Sequence, residues 1–423
     1  MFGIILAAFG CVILYLVTLP DQKQERRHVV WTIQGAYVLR LVLQNFLRDI
    51  PFFSSGYGGD WDTYAYLGQL ASAVWTHSGF HYMTDDELPG MGSTTLPANV
   101  FGVVIYLNDG ELTRLGCTAV VAIAACLTCH NLYRLALELG ANEKFAFKVM
   151  VLTLFGPAFL MYTSDTYKDA FVALFTTAAV ASAMRLAHRF SLWQASVALL
   201  CMVALWQVRF YMVFFSLASL VVGLTGVRSR TVWRPFVTAL ALVAVAIIAM
   251  NYTDILGSAS ERASQTFTTA TNETVRNENA QGGSGVTFDD GGNPFGTFGP
   301  KVAYMLFSPF PWQPGSLGFQ IGKLDVFIWY FLAYRAFRAG RRLARDRPTL
   351  LFMFLAFVAP VVVAYSATMS NIGLIVRQRI PMMLVCALLA TLSEPAAAPE
   401  EAQEDAGDPS IDPEGSALSG VRA

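Results

Sequence analysis

Long apolar runs recur along this chain, and they restrict its fold more than any other feature. The 423 residues are 55% hydrophobic and only 14% charged, and their mean hydropathy is +0.47. A soluble domain would carry about 25% charged residues. The runs are continuous and do not alternate with polar residues, so they are typical of membrane helices and not of a transmembrane β-barrel. We therefore predict an all-α fold, a polytopic transmembrane helical bundle.

The apolar runs predict about 11 membrane spans. The run from 192 to 226 would form a helix of about 52 Å at 1.5 Å per residue, too long for one crossing, so we expect two short spans that turn at Arg209. No basic residue precedes the first run and no small-residue cleavage site follows it, so it is assigned as a span and not as a signal peptide. The predicted spans are Phe2–Leu19, Val29–Phe46, Thr113–Tyr133, Val149–Tyr162, Ala170–Met184, Leu192–Val208, Phe210–Gly226, Phe236–Tyr252, Phe319–Tyr334, Thr349–Thr368 and Ile380–Leu392.

Basic residues predict the orientation, because cytoplasmic loops are enriched in Lys and Arg. One set of short connections carries Lys23, Arg26, Arg27, Arg134, Lys144, Lys148, Arg185, Arg189, Arg228, Arg230, Arg234, Arg335, Arg338, Arg341, Arg342, Arg345 and Arg347. The opposite, longer loops carry only Arg48, Lys168, Arg209, Arg262, Arg276, Lys301, Arg377 and Arg379. The N-terminus is therefore predicted outside and the C-terminus in the cytoplasm, in a multi-pass protein of a bacterial inner membrane.

The chain divides into an integral membrane domain, residues 1–392, and a tail, residues 393–423. Two large outer loops are expected, at 47–112 and 253–318. Short helices are expected in the first loop at Thr63–Trp75 and Asn99–Leu107. The second loop is polar, and its Gly-rich part from Gly282 to Gly299 is expected to be mobile. The tail is rich in Pro, Ala and acids, so we expect it to be disordered in the cytoplasm.

Several common site types find no support in the sequence. There is no P-loop, Rossmann glycine fingerprint, HExxH motif or nucleophile elbow, so ATP-driven transport and zinc proteolysis are unsupported. Cys126, Cys129 and His130 resemble a metal pattern, but their helix of Ala, Val and Leu favours packing instead. No nucleic-acid partner is expected.

An acidic pair, Asp60 and Asp62, precedes the helix expected at Thr63 in the first outer loop. Asp62 could serve only as the N-cap of this helix. An N-cap explains neither Asp60 nor the nearby aromatic residues, which are Tyr57, Trp61, Tyr64 and Tyr66. A carboxylate beside aromatic surface suits a general base or a metal contact near a sugar. Asp60 and Asp62 are therefore candidate catalytic residues and candidate ligands of a divalent cation, Mg²⁺ or Mn²⁺.

Two charged motifs interrupt apolar segments on the same predicted side. The turn YTSDTYKDAF carries Lys168 and Asp169. It is either an exposed hairpin capped by Asp165, or a site where Lys168 contacts a phosphate and Asp169 holds Lys168 in place. Arg209 lies in QVRFY between two apolar spans. Its side chain either extends to the membrane interface or binds a phosphate, whose geometry the guanidinium matches.

Two later motifs complete the set. The segment FSPFPWQP contains Trp312, which suits either a membrane-interface aromatic belt or a wall for a prenyl chain or sugar ring. The segment SNIGLIVRQRIP places Arg377 and Arg379 on the predicted outer side, where basic residues are disfavoured. They bind either anionic headgroups in general or the phosphate or pyrophosphate of a specific lipid.

Taken together, these motifs resemble the polytopic membrane glycosyltransferases of the GT-C superfamily and the related Wzy-like surface-polysaccharide polymerases. The resemblance covers about residues 30 to 392, in architecture more than in residues. It includes the acidic motif GDWDTYAYLG, the Lys-Asp pair in YTSDTYKDAF, the RFY element with Arg209 and Tyr211, and the late arginines of NIGLIVRQR. The chain departs from the group because it has no large soluble C-terminal domain, which puts oligosaccharyltransferase-type activity in doubt.

The resemblance implies transfer of a sugar or glycan repeat from a polyprenyl phosphate or pyrophosphate carrier to a glycan or lipid acceptor. Asp60, Asp62 and Asp169 would be catalytic, and the phosphate-binding residues would be Lys168, Arg209, Tyr211, Trp312, Arg377 and Arg379. Fixed cations would stabilise the charge that develops on the departing phosphate. A transporter or flippase of a lipid-linked or anionic solute, and a non-catalytic scaffold of an envelope assembly complex, remain alternatives.

Overall fold

The computed structural model describes residues 1–24, 26–49, 60–92, 94–188, 191–226, 264–265, 268–269, 271–280, 285–289, 293, 295–313 and 317–396. The described part is helical, with two isolated β-bridges, Ala141 with Pro395 and Gly285 with Asn371, and no longer strand. The predicted all-α class is therefore confirmed for these residues. The helices are α1 Phe2–Lys23, α2 Arg27–Asp49, α3 Asp60–Ser78, α4 Thr95–Tyr106, α5 Arg114–Glu138, α6 Glu143–Leu154, α7 Pro157–Met161, α8 Asp169–His188, α9 Leu192–Arg209, α10 Tyr211–Gly226, α11 Glu273–Ala280, α12 Phe298–Phe307, α13 Leu317–Asp346, α14 Pro348–Ala367, α15 Ile372–Gln378 and α16 Ile380–Thr391.

Five of the described helices are long and apolar enough to cross a membrane, as expected of a multi-pass membrane protein. These are parts of α1, α5, α8, α9 and α14. The pair α15–α16, bent by 50°, makes a sixth if it counts as one span. The count of eleven spans is thus not confirmed. Polar residues such as Gln34 and Arg40 lower the hydropathy of α2, and the predicted span from Phe236 to Tyr252 lies outside the described residues.

The predicted span Val149–Tyr162 is not one helix. Helix α6 ends at Leu154, and the five-residue α7 begins at Pro157. Pro lacks an N–H and is accepted at the first turn of a helix, where that N–H would have no partner. Gly156-Pro157 therefore ends one helix and starts the next, and the chain crosses this region as a broken helix.

Helix α8 lies at the centre of the bundle, packed against α5, α9, α10 and α16. Small residues line its buried positions, among them Ala173 and Ala181, and every residue of α16 is buried. Small side chains let membrane helices approach closely. A helix that is apolar all round belongs in the core, so α8 and α16 form the interior against which the other helices pack.

The two ends of α8 carry different charged groups. Asp169 is its first residue, and Arg185 near its C-terminus forms an ion pair with Glu138 at 2.8 Å. These two positions are about 24 Å apart at 1.5 Å per helical residue. Arg185 belongs to one of the predicted cytoplasmic loops. Two other predicted cytoplasmic loops are joined by the ion pair of Arg26 with Glu143, also at 2.8 Å. Which end faces the cytoplasm stays a prediction.

The first predicted outer loop contains two packed helices, α3 and α4, which are longer than the predicted helical stretches. Leu67, Ala71 and Trp75 of α3 form a small separate core with Ala98 of α4. Gly68 permits this packing, because a Cβ there would lie 2.9 Å from Phe101 Cβ. Helices α3 and α4 of the first loop thus form a helical hairpin.

The second outer loop and the tail are described only in part. Val286 N donates a hydrogen bond to Ser370 O at 2.8 Å, so residues 285–289 lie against the segment before α15. At the other end of the chain, Ala396 N donates to Gly140 O at 2.9 Å, and Arg335 binds Ser393 and Glu394. Residues 393–396 therefore belong to the folded domain, and residues 397–423 lie outside the described part.

Candidate functional site

Three charged side chains from distant parts of the chain meet in the interior. Asp169 at the start of α8 accepts from Arg209 Nη2 at 3.2 Å through Oδ1, and from Arg377 Nε at 2.6 Å through Oδ2. Arg209 is the last residue of α9, and Arg377 lies in α15. The exposed fractions of the three residues are 2%, 6% and 7%. We call Asp169, Arg209 and Arg377, together with Lys168, the charged cluster.

Aromatic rings surround the cations of this cluster. Lys168 Nζ lies 5.4 Å from the ring centre of Tyr64 on α3. The guanidinium of Arg377 lies 5.0 Å from the ring of Tyr167, and that of Arg209 lies 6.0 Å from Tyr211. Cations placed over aromatic faces within about 6 Å are attracted by the ring quadrupole. The rings stabilise the cations without neutralising them.

The described side chains of the cluster bring three cations close to two buried carboxylates. Lys168, Arg209 and Arg377 stand against Asp169 and Asp165, which is also buried and accepts from Thr166 N at 2.7 Å. Arg209 Nη1 is buried and finds no hydrogen-bond partner in the described part of the chain. Buried charge is costly unless it is paired. The cluster is therefore suited to an anionic group such as a phosphate, which guanidinium groups bind well.

The predicted acidic pair lies beside the charged cluster in the fold. Trp61 O accepts a hydrogen bond from Thr166 Oγ1 at 2.8 Å, which joins the start of α3 to the turn before Asp169. Asp62 is exposed, and Asp60 begins α3, although its side chain lies outside the described part. Within the described residues no group of three or more His, Cys, Asp or Glu could hold a metal ion. The divalent cation at Asp60 and Asp62 stays a prediction.

Asp169 was predicted to be catalytic and to hold Lys168 in place, and the structure shows it bound to two arginines. Both of its carboxylate oxygens accept from arginines, so neither is available to remove a proton from an acceptor hydroxyl. Its contacts instead orient Arg209 and Arg377. Asp62 is the described carboxylate near the cluster that remains open to an incoming ligand.

Arg379 and Trp312 lie away from the charged cluster in their contacts. Arg379 Nη1 donates to the carbonyls of Met305, Leu306 and Ser308 at 3.4, 3.2 and 2.9 Å. These carbonyls end α12, so Arg379 serves as its C-terminal cap. Trp312 is 77% exposed and stacks on Phe310 with ring centres 5.0 Å apart. Of the predicted phosphate-binding residues, the structure joins Lys168, Arg209, Tyr211 and Arg377, and not these two.

Arg40 and Asp325 are among the buried charges that were not predicted from the sequence, and both hold the broken helix α6–α7. Arg40 on α2 is fully buried; its Nη2 donates to Leu154 O at 2.8 Å and its Nε to Thr163 Oγ1 at 2.9 Å. Asp325 on α13 accepts from Ala158 N at 3.1 Å. Arg40 thus caps the C-terminus of α6, and Asp325 caps the N-terminus of α7. A lone charge inside an apolar run was the signal that could have identified Arg40.

The residues that resembled a metal pattern have another role at the opposite end of the bundle. Asp21 is fully buried and lies 2.7 Å from His130 Nε2 and 3.0 Å from Arg134 Nη1. Cys126 and Cys129 are buried free cysteines of α5. His130 therefore pairs with a carboxylate, while the two cysteines pack in the core.

No protein-family model, no curated protein and no solved structure matches this chain. The glycosyltransferase resemblance therefore rests on the motifs alone.

Proposed function

We propose that this chain is a membrane glycosyltransferase that acts at the extracytoplasmic face of a bacterial inner membrane. It transfers a sugar or glycan repeat from a polyprenyl phosphate or pyrophosphate carrier during assembly of a cell-surface polysaccharide or glycolipid. The observation that carries the proposal is the buried meeting of Asp169, Arg209 and Arg377. It brings two guanidinium groups together at the end of the central helix α8 where Asp169 lies.

The proposal assigns each group a role that its contacts permit. Arg209, Arg377 and Lys168 bind the phosphate and stabilise the charge that develops on it as the sugar leaves. Asp169 keeps both guanidinium groups in position, which reduces the reorganisation required during the reaction. Asp60 or Asp62, at the start of the adjacent α3, activates the acceptor hydroxyl, either directly or through a divalent cation.

The test is mass analysis of polyprenyl-linked glycans in cells that depend on this chain. Arg377→Gln and Asp60→Asn are each expected to cause accumulation of a lipid-linked precursor and loss of a larger glycan. The mass of the lost unit distinguishes transfer of a single sugar from polymerisation of repeats. Arg345→Gln, an exposed residue of α13 outside the cluster, is the matched control and should leave the glycans unchanged. An unchanged lipid-linked pool with stably inserted Arg377→Gln protein would refute the proposal.

A transporter or flippase of a lipid-linked or anionic solute is the second candidate, and the broken helix α6–α7 favours it. Discontinuous helices with charged partners occur at the substrate sites of secondary transporters. In this chain Arg40 and Asp325 already occupy the ends of the break, which leaves fewer free backbone groups for a solute. Movement of a fluorescent lipid phosphate across proteoliposomes, with no covalent change to its sugar, would favour transport over transfer.

A further inference from the structure

A small polar cavity lies in the second predicted outer loop, next to the segment that leads into α15. Arg276, Asn277, Thr287 and Ser370 contribute its polar lining, together with Val286, Phe288 and Met369. Its volume is about 20 Å³, which is sufficient for one group the size of a water molecule. The cavity therefore encloses one polar group and leaves the rest of a ligand outside.

The cavity has a buried floor and an exposed mouth. Arg276 is 7% exposed and Ser370 is 3% exposed, whereas Asn277 and Thr287 are exposed at the surface. Ser370 Oγ has no hydrogen-bond partner among the described residues, although it is buried. A buried hydroxyl normally finds a partner, so a ligand or an ordered water belongs beside Ser370.

The charge around the cavity favours an anionic group. The Arg276 side chain lies in the lining, and the fully buried Lys301 Nζ is 5.9 Å from the ring centre of Phe288, which forms another part of it. Arginine binds oxyanions through charge-assisted hydrogen bonds, which are stronger than neutral ones.

The loop that forms the cavity is joined to the segment before α15. Gly285 pairs with Asn371 in a β-bridge, and Val286 N donates to Ser370 O. Arg377 of the charged cluster lies in α15, which begins two residues after Ser370. A ligand group bound at Ser370 and a group bound at Arg377 therefore meet the same short segment.

We propose that this cavity receives one oxygen of an oxyanion carried by the acceptor, either the carboxylate of an acidic sugar or a phosphate substituent, whose remaining atoms lie at the mouth. The assignment of this oxyanion to the acceptor rests on the proposed function. The binding of an oxyanion in the cavity is independent of that function. Arg276 supplies the charge, Ser370 donates from the floor, and Asn277 and Thr287 contact the remainder of the ligand at the mouth.

The test is the shift in thermal unfolding of the detergent-solubilised full chain, followed by tryptophan fluorescence, with glucuronate, inorganic phosphate or glucose added. Stabilisation by glucuronate alone assigns a sugar carboxylate, and stabilisation by phosphate alone assigns a phosphate substituent. Arg276→Gln should weaken binding at least tenfold and Ser370→Ala severalfold, while Arg345→Gln should bind as the natural chain does.

Two outcomes would overturn the inference. One is the absence of any shift with either anion, in which case the cavity holds an ordered water only. The other is a shift that survives Arg276→Gln and disappears in Arg377→Gln, because the anion would then bind the charged cluster. Since this measurement requires no turnover, its failure leaves the proposed transfer standing. Conversely, unchanged glycans in the cellular test would refute the proposed transfer but not a measured affinity of the cavity for an anion.

Discussion

Replacing Asp169 with Asn should destabilise the protein more than removing either arginine that binds it. Asp169→Asn keeps the size of the side chain but leaves Arg209 and Arg377 buried without their shared counter-charge. Removing one partner of a buried ion pair costs about 3–5 kcal/mol. Arg377→Gln leaves Asp169 paired with Arg209 and removes the charged hydrogen bond of Arg377 Nε, at about 1.5–3 kcal/mol.

These free energies convert into measurable shifts of the unfolding temperature. An unfolding entropy of about 2.1 cal/mol/K per residue gives about 0.9 kcal/mol/K for the chain. Asp169→Asn should therefore lower Tm by about 3–6 °C, and Arg377→Gln by about 2–3 °C. Both values are lower bounds, because a membrane protein keeps much of its helix on unfolding in detergent and its unfolding entropy is smaller.

The assay is thermal unfolding of purified protein, with Arg185→Gln as the control. Arg185 belongs to a partly exposed ion pair with Glu138, so its loss should cost at most about 1 kcal/mol. The order of the two cluster variants is the decisive result. If Arg377→Gln lowers Tm as much as Asp169→Asn does, the cluster does not carry excess positive charge, and the argument for an anionic ligand fails.

Three further predictions concern residues outside the charged cluster. Arg40→Leu should abolish product in the glycan assay. Arg40→Lys should retain part of the product, because its ammonium group still donates to Leu154 O. Equal activity of the two variants would contradict the capping role of Arg40. Gly68→Ala should destabilise the chain by about 1–3 kcal/mol, because the added Cβ meets α4. Gly35→Ala should not destabilise it, because the space around Gly35 is open. The Tm of both variants checks this prediction. Truncation after residue 392 should lower Tm, and truncation after residue 396, which keeps the hydrogen bonds of Arg335, should leave it unchanged.

The helical architecture could be predicted because apolar runs determine where membrane helices form. Helix α14 and helix α16 match their predicted spans within one residue at each end. The interruption at Arg209 was also predicted, since 35 helical residues exceed one crossing, and α9 indeed ends at Arg209. Length and hydropathy are local properties of the sequence, so they can be read without knowledge of the fold.

The break between α6 and α7 was not predicted, although Gly156-Pro157 is a known signal for the end of a helix. The apolar character of 149–162 outweighed this signal. What keeps a broken helix stable in an apolar environment is the supply of partners for its free backbone groups. Those partners, Arg40 and Asp325, come from other helices, and a single sequence does not reveal their pairing.

The candidate site shows the same limit. The sequence singled out Asp169, Arg209 and Arg377 as charges within apolar surroundings. It did not indicate that Asp169 binds both arginines, because the partners are separated by 40 and 208 residues along the chain. Nor could it distinguish Arg377 from Arg379, two residues apart on a bend, one of which binds a carboxylate and the other three carbonyls.

The partners of each buried arginine provide a physical criterion for its role. Arg40 and Arg379 donate to backbone carbonyls at the ends of helices, and helix C-termini carry partial negative charge. Their positive charge is thereby used to stabilise the fold. Arg209 and Arg377 instead donate to one shared carboxylate, that of Asp169, and each lies over a tyrosine ring. A charge in an apolar run therefore indicates a binding site only when helix ends do not account for it, and in this chain that condition selects the charged cluster.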